Sequence, residues 1–346
     1  MNERVKLNAR KSSGGSKSRF EWVDSAKAIS ITLVVLWHTV EYEWYFNELL
    51  FFLRMPLFFF VAGFFARGAV TGSISQLFRK RVSNFLYLYV LWFLIIFALT
   101  TVLISIRNGQ GIPIPNLTQI FVEPPATLWF IYALAIIYAI AKPLMLIPPI
   151  GRVILVFIVY CISAATGEWG VIPFYDNVMR LLIFFVLGDL TFSSLKALPQ
   201  RYNKFSVVLL IAFMVLSWAI FRFGLTAIGP LTFAASAIGI LGLILACRWL
   251  DDWPMMRPLK FMGTRTIYVY LMHRIVMVYA LAIYTMFGLP NDLTMRLLTF
   301  ALAIPLTLFA GVILDRYLPI LFVAPWNLSR RGISPSILKR DPHIES

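Results

Sequence analysis

Residues 83–106 read SNFLYLYVLWFLIIFALTTVLISI, and no charged side chain interrupts this run of 24 residues. A helix rises about 1.5 Å per residue, so the run would extend about 36 Å. The hydrocarbon core of a bilayer is about 30 Å thick. The stretch therefore predicts a transmembrane helix.

The same pattern recurs along the whole chain, which is 60% apolar and only 14% charged. We predict an all-α, polytopic membrane protein with about ten transmembrane helices. A basic cytoplasmic arm at 1–27 would precede one transmembrane domain at 28–326, and a basic cytoplasmic tail would follow at 327–346. The predicted spans are 28–46, 49–66, 83–106, 127–147, 153–167, 178–194, 205–222, 228–247, 265–287 and 297–314.

The net charge of +15 is distributed unevenly between the loops. Alternate polar segments, beginning with the N-terminal arm and ending with the C-terminal tail, hold 24 of the 31 Lys and Arg residues. Short cytoplasmic loops retain Lys and Arg, so this alternation predicts that both termini are cytoplasmic and that the number of spans is even. The positive charge thus reflects topology, and we expect no nucleic-acid partner.

Several classes of chemistry lack their sequence signatures. Cys161 and Cys247 both lie in apolar runs, without the spacing of a zinc site or a disulfide framework. No Walker loop, dinucleotide fingerprint, HExxH or GxSxG arrangement is present. We therefore expect no metal site and no permanently bound cofactor.

Histidine is rare, and two of the three lie within predicted spans. His38 lies about 15 Å along the first span and His273 about 14 Å along the ninth, and both spans run outwards. The two imidazoles are therefore predicted to lie at similar depth near the middle of the bilayer. An ionisable group at this depth is costly and is expected to face protein or water.

Lys27 lies eleven residues before His38, which is three helical turns with little angular drift. Asp24, Lys27 and His38 are therefore predicted to share one helix face. A cation at the cytoplasmic mouth and a titratable imidazole about 16 Å deeper would suit a coenzyme A thioester. The alternative is that Lys27 is a membrane anchor and that His38 hydrogen-bonds a neighbouring helix.

Other charged residues carry less specific expectations. Arg54 has two alternatives: a substrate contact, or a side chain that reaches the outer membrane interface with Glu41, Glu43 or Glu48 as its counterion. Arg274 is too deep to reach the interface easily and is the better pocket candidate. Asp189 could pair with Lys196. Arg180, Arg222 and Arg296 are expected to be interface or loop-pairing residues.

Four further stretches of the sequence carry recognisable motifs: Trp22–His38, Arg54–Phe65 (RMPLFFFVAGFF), Leu128–Leu134 (LWFIYAL) and Gly263–His273 (GTRTIYVYLMH). They resemble acyltransferase family 3, the membrane O-acyltransferases that include fucose 4-O-acetylase-like proteins and O-antigen acetylases. The signature of that family is Arg or Lys, ten residues and then His, with Asp shortly before the base. Ala62 stands where the family usually has Ser, and Lys27 replaces the commoner Arg.

The resemblance implies transfer of an acyl group, expected to be acetyl, from cytoplasmic acyl-CoA to a carbohydrate or glycoconjugate hydroxyl outside the membrane. A bacterial inner membrane is the expected location. His38 would act as general base or carry the acyl group, and Lys27 with Asp24 would bind the donor. His273, Arg274 and Arg54 are the candidates for positioning substrate.

A transporter or a translocase of lipid-linked glycans is the rival interpretation, with intramembrane His and Arg forming a proton or anion path. Transporters commonly contain inverted repeats with broken helices in matching positions. We find no such pairing in the sequence, so the enzyme is the preferred hypothesis.

Overall fold

The computed structural model describes residues 20–40, 49–111, 114, 116–165 and 173–331. Regular structure in these ranges is helical throughout. Ten apolar helices can be followed, with short helices and turns between them. They are α1 Glu21–Val40, α2 Phe51–Gly63, α3 Ile74–Ile106, α4 Trp129–Leu144, α5 Pro149–Ala165, α6 Pro173–Ala197, α7 Ser206–Arg222, α8 Gly229–Trp249, α9 Thr266–Met286 and α10 Leu293–Tyr317.

Seven of these helices are long and apolar enough to cross a bilayer. The other three, α2, α4 and α5, have 13, 16 and 17 residues. The chain is thus a multi-pass, all-helical membrane protein, as predicted. The count of ten spans and the cytoplasmic location of both termini stay predictions.

The first helix begins at Glu21, seven residues before the predicted span at 28, and the boundary between arm and membrane domain stays a prediction. Asp24 and Lys27 belong to α1. Asp24 is buried because the short helix Arg257–Gly263 crosses α1 at this point. A Cβ atom at Gly263 would overlap the backbone carbonyl of Asp24, so only glycine allows this approach. Residues 41–46, the predicted end of the first span, lie outside the described residues.

Helices α1 and α2 form the centre of the bundle. Helix α1 contacts α2, α8, α9 and α10, while α2 also packs on α6 and α8. The hydroxyl of Ser30 donates a hydrogen bond to the carbonyl of Arg54, 3.1 Å away, which ties α1 to α2. Helix α2 crosses α6 where Gly63 meets Gly188, each lying against the other helix's backbone. The candidate site residues of α1 and α2 are therefore held by close helix contacts.

The predicted partner of Asp189 was wrong. Its carboxylate pairs with Arg152, at 3.9 Å, and with Arg67, at 3.7 Å. The ammonium of Lys196 lies instead over the rings of Phe20 and Phe192, at 5.2 and 5.0 Å from their centroids. The spacing of residues within α6 could not indicate these two ion pairs, because Arg67 and Arg152 belong to other elements.

Candidate functional site

Two histidines from different helices meet inside the bundle. The ring centroids of His38 on α1 and His273 on α9 are 5.3 Å apart, with 32° between the ring planes. The structure thus brings together the two imidazoles that the sequence places at similar depth. Their meeting makes the crossing of α1 and α9 the candidate site.

His273 is fully buried, and its ring orientation is fixed by its own helix. Its Nδ1 lies 2.7 Å from the carbonyl of Tyr270 and 3.1 Å from the carbonyl of Val269. Carbonyl oxygens only accept, so Nδ1 carries the proton and donates to them. This tautomer leaves Nε2 as an acceptor, and the described residues offer it no hydrogen-bond donor.

Arg54 is buried in α2, with 6% of its surface exposed. Its guanidinium carbon lies 4.0 Å from the centroid of Trp37, a stacked cation–π arrangement. Its Nη1 has no hydrogen-bond partner in the described part of the chain. The Arg54 side chain is thus buried and not exposed at the surface, whereas its predicted pairing with an acidic residue stays a prediction. Glu41, Glu43 and Glu48 lie outside the described residues.

Lys27 and Asp24 form an ion pair on the same face of α1, with 2.6 Å between Lys27 Nζ and Asp24 Oδ1. The Lys27 side chain keeps 24% of its surface exposed, whereas the Asp24 side chain keeps 7%. The ammonium also lies 5.8 Å from the ring centroid of Phe65. Asp24 thus holds the ammonium in place and offsets part of its charge.

Two cavities lie on the side of His38 towards Lys27. The Lys27 cavity, of about 180 Å³, is lined by Lys27, Phe65 and Thr266 among others. The central cavity, of about 200 Å³, is lined by His38, Arg54 and a set of aromatic rings. The two cavities share the walls Phe58, Phe130 and Tyr270. These three aromatic side chains form the partition between Lys27 and His38.

A third cavity lies on the other side of His38. This Arg274 cavity, of about 420 Å³, is lined by His38, Arg274 and polar side chains from the ends of helices. Arg296 is one of them, and its Nε donates to Asn291 Oδ1 at 3.3 Å. The loop-pairing role expected for Arg296 is therefore present, but the residue also lines a cavity that contains His38. His38 contributes to two cavities at once.

Sequence reasoning missed Tyr270 and the aromatic partition. Tyr270 is buried, accepts a hydrogen bond from the backbone N–H of Ile131 at 3.3 Å, and lines both the Lys27 cavity and the central cavity. A signal was present, because Tyr270 lies three residues before His273 and so shares its helix face. Phe58 and Phe130 carry no such signal among 30 phenylalanines.

The described ranges contain no cluster of three His, Cys, Asp or Glu side chains that could hold a metal ion. The site is instead a combination of imidazoles, guanidinium groups and cavities. A model of an acyltransferase domain, the acyltransferase 3 family, matches residues 20–316. The chain belongs to the acyltransferase 3 family.

The match extends from the first described residue, through His38 and Arg54, to the last turn of α10, so all six predicted site residues of this acyltransferase lie within it. No curated protein and no solved structure shows a significant match. The family model therefore supplies the acyltransferase assignment, and the geometry of this chain supplies the arrangement of its residues.

Proposed function

We propose that this acyltransferase moves an acyl group, expected to be acetyl, from cytoplasmic acyl-CoA to a hydroxyl of a carbohydrate or glycoconjugate outside the membrane. The observation that carries the proposal is the position of His38, which lines the central cavity on one side and the Arg274 cavity on the other. An imidazole between two cavities can contact one substrate in each.

The chemistry follows from that position. The acceptor hydroxyl gives its proton to the His38 imidazole as its oxygen attacks the thioester carbon. The new C–O bond forms, the C–S bond breaks, and the imidazolium returns the proton to the departing thiolate. The alternative is that His38 first takes the acyl group itself and then passes it to the acceptor. Both routes need an uncharged imidazole at the start.

The donor is proposed to approach through the Lys27 cavity. Lys27 lies near the phosphates and Asp24 holds it in position, while the narrower thioester end passes Phe58, Phe130 and Tyr270 to reach His38. A compact acyl group suits the central cavity of about 200 Å³, which several aromatic rings confine. The limited volume supports a short acyl chain such as acetyl.

The acceptor is proposed to enter the Arg274 cavity, which is twice as large and more polar in its lining. Arg274 would bind acceptor oxygens or the oxyanion that develops on the thioester carbonyl. His273 would position His38, because its acceptor nitrogen is uncommitted and its ring lies 5.3 Å from that of His38.

The topology of the proposal follows from the loop charges. Ten spans with both termini in the cytoplasm would put Lys27 at the inner face and the polar ends around the Arg274 cavity at the outer face. A bacterial inner membrane is the proposed location. This orientation gives cytoplasmic acyl-CoA and an external acceptor separate approaches to one imidazole.

The test is acyl-CoA turnover by the purified protein in a neutral detergent. Acetyl-CoA should release free coenzyme A slowly without any membrane potential, because hydrolysis or transfer requires no gradient. Butyryl-CoA and palmitoyl-CoA would serve as matched donors of greater length. Indifference to all three thioesters, together with gradient-dependent uptake of a solute into vesicles, would favour the transporter interpretation.

A further inference from the structure

A fourth cavity lies beside the candidate site, on the far side of Arg54. This Arg180 cavity, of about 540 Å³, is enclosed by α2, α5, α6, α7 and α8 together with Trp129 at the start of α4. Its rim includes exposed residues, Phe51 on α2 and Ala227 before α8. Its volume is within the range of cavities that bind small ligands. The acyl-transfer proposal assigns no role to it.

Among the described residues, the lining of the Arg180 cavity contains two cations and no acidic side chain. Arg54 contributes to both this cavity and the central cavity. Arg180 is fixed by α5, because its Nε donates to Ser163 Oγ at 2.8 Å and its Nη2 donates to the Ser163 carbonyl. A cavity with this charge balance favours an anion.

The hydrogen bonding of Arg54 provides a further indication. Its side chain is more than nine-tenths buried, its Nη1 lacks a hydrogen-bond acceptor, and no described carboxylate lies within 4 Å of its guanidinium. A buried arginine in a membrane is normally paired with a carboxylate, a phosphate or a backbone carbonyl. Stacking on Trp37 is worth only about 1–2 kcal/mol and cannot replace such a partner.

The remaining walls indicate what kind of molecule carries the anion. Much of the Arg180 cavity is apolar, with Phe52, Pro56, Leu181, Phe184 and Phe221 among its lining residues. A small hydrophilic anion would leave this surface in contact with water, whereas an acyl or prenyl chain would cover it. Charge at one end and apolar walls beside it match a lipid phosphate.

We propose that the Arg180 cavity binds a phosphate-bearing lipid, whose phosphate pairs with Arg54 and whose chain lies along the apolar walls between α2, α6 and α7. Guanidinium groups bind phosphate oxygens through two parallel hydrogen bonds, which would satisfy the free Nη1. The lipid would lie next to His38, since Arg54 also lines the central cavity. This site is independent of the acyl-transfer proposal.

Two sources supply such a phosphate: the phospholipids of the membrane and the polyprenyl phosphates that carry glycans. Binding to delipidated protein in neutral detergent can be measured by native mass spectrometry with two matched pairs of lipids. Dioleoylphosphatidylglycerol is compared with dioleoylglycerol, and a polyprenyl phosphate with its polyprenol. Within each pair the phosphate-bearing lipid should bind at least about tenfold more tightly, or about 1.4 kcal/mol. The pair with the larger ratio identifies the source.

Variants locate the site. Arg54→Gln should remove most of the difference within each pair. Ala227→Phe, which adds a bulky ring at the exposed rim, should weaken the binding of both phosphate lipids several-fold. Arg222→Gln is the matched control, because Arg222 is an exposed arginine near the same helix ends that does not line the cavity. His38→Ala should bind lipid normally, so a failure of the acyl-transfer chemistry leaves this measurement intact.

Equal binding within both pairs would overturn the proposal, as would a phosphate preference that survives in both Arg54→Gln and Ala227→Phe. If Arg54→Gln does not yield monodisperse protein, Ala227→Phe alone decides the question. A rim-filling side chain that leaves phosphate-lipid affinity unchanged would place the lipid elsewhere on the protein.

Discussion

Replacing His38 with alanine tests whether its imidazole is catalytic or only packs against a neighbouring helix. Among the described residues the His38 ring forms no hydrogen bond, and its contact with a polar ring is the one with His273 at 5.3 Å. Truncation therefore leaves no buried donor or acceptor newly unsatisfied on a neighbouring helix. The expected loss is one ring contact of about 0.5–1.5 kcal/mol, which a bundle of ten packed helices should tolerate.

The expected loss of activity is larger. Removing a general base usually costs a factor of about 100 or more, which corresponds to about 2.7 kcal/mol of activation free energy. If His38 carries the acyl group, the loss is at least as great. The His38→Ala variant should therefore keep most of its stability and lose most of its turnover.

The assay combines release of coenzyme A from acetyl-CoA with thermal unfolding followed in the same detergent. Thr32→Ala is the matched control, because Thr32 lies on the same helix, donates its hydroxyl hydrogen to the carbonyl of Ala28 and is not among the described lining residues of the four cavities. A monodisperse His38→Ala protein with full acyl-transfer activity would refute the reasoning. A variant that loses stability and activity together, unlike Thr32→Ala, would indicate a packing role.

Three other outcomes follow from the structure. Lys27→Ala should raise KM for acetyl-CoA with little change in kcat, because a contact with donor phosphates affects binding more than the chemical step. Lys27→Arg should restore the original KM. A loss confined to kcat would contradict the donor-binding role of Lys27. Gly263→Ala should lower the unfolding temperature, since overpacking costs about 1–3 kcal/mol. Gly68→Ala should not lower it, because a Cβ atom there would lie in open space. Equal unfolding temperatures of the two variants would refute the close contact of Gly263 with α1. Reporter fusions after Arg201 should report the cytoplasm and fusions at Asp292 the outside, and an external report at Arg201 would overturn the predicted topology.

Hydropathy predicts the positions of the helices because the bilayer imposes a minimum length of apolar chain. The prediction for 205–222 differs from the observed Ser206–Arg222 by one residue at one end. The same reasoning places the start of the first helix too late, because Asp24 and Lys27 are polar. In the structure the two side chains form an ion pair, and Gly263 packs against the backbone of Asp24. The mean hydropathy of a sequence window contains no information on either contact.

The candidate site could be predicted only where a single helix determines it. Rise per residue was enough to place His38 and His273 at the same depth, and helical period placed Asp24 beside Lys27. Contacts between helices were beyond this reasoning. The stacking of Arg54 on Trp37 and the partition formed by Phe58 and Phe130 depend on how α1, α2 and α4 pack.

Some buried polar groups of this bundle have partners on other helices, and others keep an atom free for a ligand. Asp189 forms an ion pair with Arg152, and Arg180 donates a hydrogen bond to Ser163, so these charged groups join helices. Arg54 and His273 each keep a buried nitrogen without a partner in the described chain, and both lie around His38. Such groups cost free energy in an empty protein and recover it when a ligand supplies the missing acceptor or donor. Of the three buried nitrogens without a partner in the described chain, two lie around His38 and the third is Arg248 Nη1 at the end of α8. This is an argument, separate from the family assignment, that ligands bind around His38.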